Sequence, residues 1–155
     1  MRALVFETII ARPRTAVWAQ LRDLRAARHY VPGVTAIEYN SAQHEGVGAS
    51  RKVCRIKRPP VDETAIAWED GKGFTLRIHD GGNAPAPFKW ATFEYQLYDA
   101  PGGQTIVRGT FSYEMALGLF GPIVDALLVR PSIKRSNLAV SANMKKYCET
   151  GIALQ

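Results

Sequence analysis

The sequence predicts an α+β domain in which a curved, seven-stranded antiparallel sheet is covered by one long C-terminal helix. Three observations carry this expectation. A strand-like opening runs into two short helical segments, six β-rich stretches fill residues 34 to 115, and helical periodicity returns after about residue 121. A sheet with one apolar face must bury it against another element, and the last segment is long enough to do so.

The elements follow in order. Residues 2–10 read as a strand. Pro13 then suits the first turn of a helix, where a missing N–H costs nothing, and Ala16, Val17, Ala19 and Leu21 continue it. Asp23 is placed to cap a second short helix, Leu24 to Tyr30, which the breaker Val31-Pro32-Gly33 closes. Glycine, proline, aspartate and asparagine clusters then separate β-rich stretches at 34–40, 46–57, 61–69, 73–80, 88–98 and 104–115, the spacing of an antiparallel meander. Glu69-Asp70-Gly71 and the run 99–103 carry hairpin chemistry, whereas 81–87 is too long for a tight turn and reads as a lid. From about Gly121 to Cys148, Ala126, Val129, Ile133, Asn137, Val140, Met144 and Tyr147 fall on one helical stripe. Pro131, inside this helix, lacks an N–H and crowds the preceding turn, so a kink or break is expected near it.

At 155 residues, 46% of them hydrophobic, the chain makes one domain, 1–155, with a substantial core. No apolar run reaches the roughly 18 residues of a membrane span, and Arg2 and Glu7 interrupt the N-terminal stretch, so a cytoplasmic location is expected. Cys54 and Cys148 stand apart, and His29, His44 and His79 lack metal-ligand spacing; no disulfide, metal or cofactor is implied. A net charge of +6 favours anionic partners without choosing among them.

Several segments in order resemble the SRPBCC (START-like) superfamily in its polyketide cyclase/dehydrase and lipid-transfer branch. Ile10 to Trp18 is similar to that family's passage from first strand to first helix, with Arg12 in place of a small residue. His29-Tyr30-Val31-Pro32-Gly33-Val34 is similar to the aromatic-x-Pro-Gly-Val run that leads into its second strand, and Gly46-Val47-Gly48-Ala49-Ser50-Arg51 to its GVGxxR strand start. Val61-Asp62-Glu63 resembles the opening of its next strand, and Asn137-Leu138 a pair late in its final helix. The resemblance spans nearly the whole chain and implies a helix-grip fold enclosing a cavity. It fixes architecture better than activity, since members transfer lipids, sense hormones or cyclise polyketides.

Carrying the family's inward face onto this chain selects Arg51, Val53 and Arg55, then Glu63, Ala65 and Ala67, then Arg77 and His79, then Trp90 and Thr92, and finally Val107, Gly109, Phe111 and Tyr113. Ile133 and Asn137 join them from the helix. Such a pocket is apolar and aromatic with a polar end, where Glu63 bridges a facing arginine and leaves another for an acidic or carbonyl group of the ligand. The bland alternative is that Arg51 and Glu63 form a structural pair. His79 could shuttle protons, but no acid or base at an interpretable spacing accompanies it, and no catalytic residue is assigned.

The basic cluster Arg51-Lys52-Arg55-Lys57-Arg58 is divided by alternation between two sheet faces and comes with no groove-entering helix, which argues against nucleic acid. The apolar run 115–120 reads as a cavity rim that touches an anionic membrane, as core, or as a homodimer contact. The expected function is to carry or sense a small hydrophobic, oxygenated or acidic molecule of lipid, polyketide or isoprenoid type, as monomer or homodimer. The alternative is a cyclase/dehydrase-like enzyme working in the same cavity.

Overall fold

A computed structural model describes residues 1–154. The strands are β1 (Arg2–Ile10), β2 (Val34–Tyr39), β3 (Ser50–Arg55), β4 (Arg58–Glu69), β5 (Gly73–His79), β6 (Phe88–Ala100) and β7 (Gln104–Met115). They form one antiparallel sheet in the order β1-β7-β6-β5-β4-β3-β2, so the meander from β2 to β7 closes on the N-terminal strand. Helix α1 (Arg14–Leu21) and a 3₁₀ helix (Leu24–His29) follow β1, and Asp23 caps the second by accepting from the Arg25 N–H. Helices α2 (Gly121–Val124) and α3 (Arg130–Thr150) end the chain, with a π-helical turn, Asp125–Val129, between them.

That turn stands where a kink or break is expected, immediately ahead of Pro131. The helix runs on through the proline, because wider i→i+5 spacing just ahead of it relieves the crowding that the ring imposes on the preceding turn. The extra residue also moves the covering stripe. Ala126 is exposed and Asp125 is buried in its place, while Val140, Met144 and Cys148 continue the buried face.

Pro59 and Pro60, which separate the β-rich stretches 46–57 and 61–69 in the sequence, lie within a strand. They open β4, ahead of the first β4–β5 pair at Asp62, where no neighbour on that side asks for their N–H groups. The β3–β4 connection is instead the tight pair Ile56-Lys57, with Lys57 at φ 54°. Residues 81–87 do form a longer connection, pinned by the Asp80–Asn83 bridge and by the Ala116 N–H donating to the Pro87 carbonyl at 2.9 Å.

Helix α3 is fastened at two places. Near its C-terminus Lys145 Nζ reaches the Ile9 carbonyl at 2.7 Å, and Glu149 accepts from the Ala11 N–H at 2.7 Å. At its other end the clasp around Asp125 holds it to the sheet. Between Arg130 and Asn143, among the described residues, no side chain of the helix hydrogen-bonds to the sheet.

Candidate functional site

Register and alternation fix which side chains face α3. Leu4 and Phe6 of β1 stand beside Phe111 and Gly109 of β7; Phe93, Tyr95 and Leu97 of β6 complete the row, and Phe74, Leu76 and Ile78 of β5 extend it. Val61, Glu63 and Ala65 of β4 and Arg51 and Val53 of β3 finish the inner face. Aromatic rings run along this face in unbroken contact. Trp18 meets Trp68 at 5.4 Å, Trp68 meets Phe74 at 5.3 Å, Phe74 meets Tyr95 at 5.7 Å and Tyr95 meets Phe93 at 4.6 Å between ring centroids. Phe93 continues to Phe111 at 6.5 Å and Phe111 to Phe88 at 5.8 Å. The Trp18–Phe74 end is sealed, whereas Phe6, Phe93, Phe111 and Phe88 are only half-buried although they face the helix. Ile133 and Asn137 of α3 are half-buried too, so this part of the inner face is not closely packed.

The polar end is built on Arg51. Its Nε donates to Glu63 Oε2 at 2.8 Å, Nη2 donates to the same carboxylate, and Nη1 donates to the Leu24 carbonyl, which ties β3 to the 3₁₀ helix. Burial works against the guanidinium charge, but the Glu63 carboxylate outweighs it and holds the Arg51 pKa above its ordinary value. The buried rings of Tyr30 and Tyr95 bring two hydroxyls into the field of this pair. Burial pushes both phenols up, so they remain donors at neutral pH. Neither hydroxyl has a hydrogen-bond partner among the described residues. Arg55 shares the inner row with Val53 and Val34, but no carboxylate pairs with it; one Nη2–H reaches the Pro59 carbonyl at 3.3 Å, while its sealed Nε–H is unpartnered. Burial, and then the charge of Arg58, lower its pKa.

A second cluster surrounds Asp125, wholly buried in the π turn. Tyr113 donates to its Oδ1, and Arg130 Nη2 and Arg2 Nε approach its Oδ2 at 2.6 Å each. Burial pushes this carboxyl up, but the Tyr113 and Arg130 hydrogen bonds and the two arginine charges prevail and leave its pKa below the usual range. Burial, then the bond to Asp125, raise the Tyr113 phenol to about 12.

Of the residues expected to face the cavity, Arg51, Val53, Arg55, Glu63, Ala65, Val107, Gly109, Phe111 and Tyr113 lie on the inner row. The hydroxyl of Tyr113 is committed to Asp125. Other expectations are overturned. Arg77 pairs with Thr64 and Thr92 on the outer face, and His79 lies beyond it, its Nε2 2.8 Å from Thr64 Oγ1 and its Nδ1 3.0 Å from the Gly81 carbonyl. Trp90 also faces outward, donating to Glu114 at 3.0 Å, as does Thr92 opposite Ser112. The reason is plain alternation: Phe74, Leu76 and Ile78, and Ala91, Phe93 and Tyr95, take the inside positions. Ala67 is turned out as well, by a bulge at Ile66. Sequence reasoning missed Tyr30, Tyr95 and Asp125; the last is the single acidic residue between Met115 and Cys148, a signal that was available. Missed too was a cleft of about 610 Å³ at the other end of β4 to β6, bordered by Arg14, Glu69, Thr75, Glu94 and Tyr98.

The family described as polyketide cyclase / dehydrase and lipid transport matches residues 1–149. The chain belongs to that family. The SRPBCC resemblance and the helix-grip architecture are therefore both shown, and the fold is one that binds hydrophobic ligands. No curated protein matches in sequence. Among solved structures, Ara h 8.0201 is similar at 15% identity and a TM-score of 0.72, covering 95% of this chain and 97% of that one. A protein of Thermus thermophilus is similar at 17% identity and a TM-score of 0.74, with the same coverages of 95% and 97%. One from Nitrosospira multiformis gives 14% identity and a TM-score of 0.71, covering 97% and 98%. At these identities the likeness is one of fold. No helix among the described residues is long and apolar enough to cross a membrane.

Proposed function

We propose that the inner face binds a small hydrophobic molecule with an acidic or oxygenated end, of lipid, polyketide or isoprenoid type, and that this protein carries or senses it in the cytosol. The observation that supports this reading is Arg55. Glu63 neutralises Arg51, so the inner row retains one cation without a carboxylate, and the same face carries two phenol donors and a row of half-buried rings. Donors without acceptors suit a carboxylate, phenolate or carbonyl head, and the rings of Phe93, Phe111 and Phe6 suit an apolar body. A cyclase/dehydrase-like enzyme would use the same donors to stabilise an enolate. Carriage is favoured over turnover because turnover needs a free base, and Glu63, the carboxylate in this group, is held by Arg51.

Native mass spectrometry of freshly purified protein, followed by organic extraction, tests the proposal. An acidic or oxygenated hydrophobic molecule should co-purify, and Arg55→Met should lose it while the melting temperature holds. An empty protein with a solid core would sink the reading, and conversion of the extracted molecule during incubation would replace carriage by catalysis.

A further inference from the structure

The turns that lead into α3 present their apolar side chains to solvent. Leu119 is 93% exposed, Phe120 72%, Leu127 71% and Leu128 67%, with Ile123 between them. Chance exposure scatters such residues singly, but these are contiguous along one short stretch. The clasp explains their direction. With Asp125 turned inward to Tyr113, Arg2 and Arg130, the opposite side of the π turn is forced outward. About two and three turns farther along the same outer stripe lie Lys134 with Arg135 and then Leu138, all exposed, and neither cation has a partner among the described residues.

Charge identifies the occupant. Between Met115 and Cys148 the chain carries five cationic side chains and one acidic one, and the acid is the buried Asp125. The nearest carboxylate in the chain ahead of the ridge, Glu114, is held on the outer sheet face by Lys89 and Trp90. A second copy docked symmetrically on this ridge would set Lys134 and Arg135 against their own equivalents or beside them, whereas a negatively charged surface would meet them favourably. The apolar side chains also project as a ridge, which suits insertion between lipid headgroups.

We propose that Leu119, Phe120, Ile123, Leu127 and Leu128 insert into the interface of an anionic lipid bilayer, with Lys134 and Arg135 engaging its headgroups. This docking surface lies on the outside of the helix and operates whether or not the inner face holds a ligand. Co-sedimentation with phosphatidylcholine–phosphatidylserine vesicles and with pure phosphatidylcholine vesicles tests it, beside sedimentation of the lipid-free protein. The protein should bind the anionic vesicles in preference, with binding falling as salt is raised. Leu119→Ser/Phe120→Ser and Lys134→Glu/Arg135→Glu should each reduce partitioning by roughly tenfold or more. Their melting temperatures should stay near that of the parent, because the side chains are exposed, and Ile66→Ser, an exposed apolar site on β4, should bind like the parent. Absence of binding to anionic vesicles would overturn the proposal. So would a lipid-free dimer that Leu119→Ser/Phe120→Ser converts to monomer, which would assign the ridge to a second copy.

Discussion

Tyr113, near the end of β7, donates its hydroxyl hydrogen to Asp125 in the π turn, so the last strand holds the start of the covering helix through one buried bond. Tyr113→Phe removes that donor and leaves a buried carboxylate oxygen short of a partner. The expected loss is about 1–2 kcal/mol in denaturant-induced unfolding, with the ring packing retained. An unchanged midpoint would show that the arginines alone hold the turn.

The same clasp predicts a pH dependence. The Asp125 pKa is lower in the folded protein than in the unfolded chain, where an aspartate titrates near ~3.9. The folded state therefore resists protonation there; the stabilisation is complete above the unfolded value and is lost as pH falls through the folded one. The melting temperature of the parent should exceed that of Asp125→Asn at neutral pH, and the gap should narrow as pH falls below the unfolded value and through the folded one. A gap that widens on acidification would contradict the assignment.

Arg51 and Arg55 should part company on mutation. Glu63→Gln strands the buried Arg51 charge and should cost about 2–4 kcal/mol in unfolding free energy, whereas replacing both partners with Arg51→Met/Glu63→Leu should recover much of that loss. Arg55→Met should leave stability within about 1 kcal/mol, because no ion pair is broken. If Arg55→Met unfolds the protein as readily as Glu63→Gln does, Arg55 is structural.

Gly109 makes room for the Phe6 ring. A Cβ at this position would lie 2.1 Å from Phe6 Cζ, so Gly109→Ala must push the ring off β7 toward the open part of the inner face. The expected cost is about 1–3 kcal/mol, together with a changed fluorescence or affinity for hydrophobic probes that enter beside Phe93. Gly109→Ala/Phe6→Leu should restore part of the loss; a single variant with parental stability would mean that Phe6 moves freely.

The fold was legible because the punctuation is local. Asp23, the Glu69-Asp70-Gly71 turn and the 99–103 turn act within a few residues, and the strands between them follow. Arg51 opposite Glu63 was legible for the same reason, through strand alternation. Arg77, His79, Trp90 and Thr92 were misplaced because the family's inward face was carried over in the wrong phase, although the apolar alternation Phe74-Leu76-Ile78 marked the right one. The outward turn of Ala67 was harder to see, because nothing in the sequence around Ile66 announces a bulge. Asp125 stood out as the single acidic residue between Met115 and Cys148, but its clasp could not be read, because Arg2 comes from the opposite end of the chain and Tyr113 from the last strand.

The π turn bears on how this chain tolerates change in length. One residue more or fewer between Asp125 and Val129 would rotate everything before it by ~100° relative to α3. That rotation would carry Asp125 away from Tyr113 and sweep the Leu127 side of the helix toward the sheet. Single substitutions along this stretch are thus cheaper than single deletions, and the segment acts as a phase marker whose residue count matters more than most of its side chains.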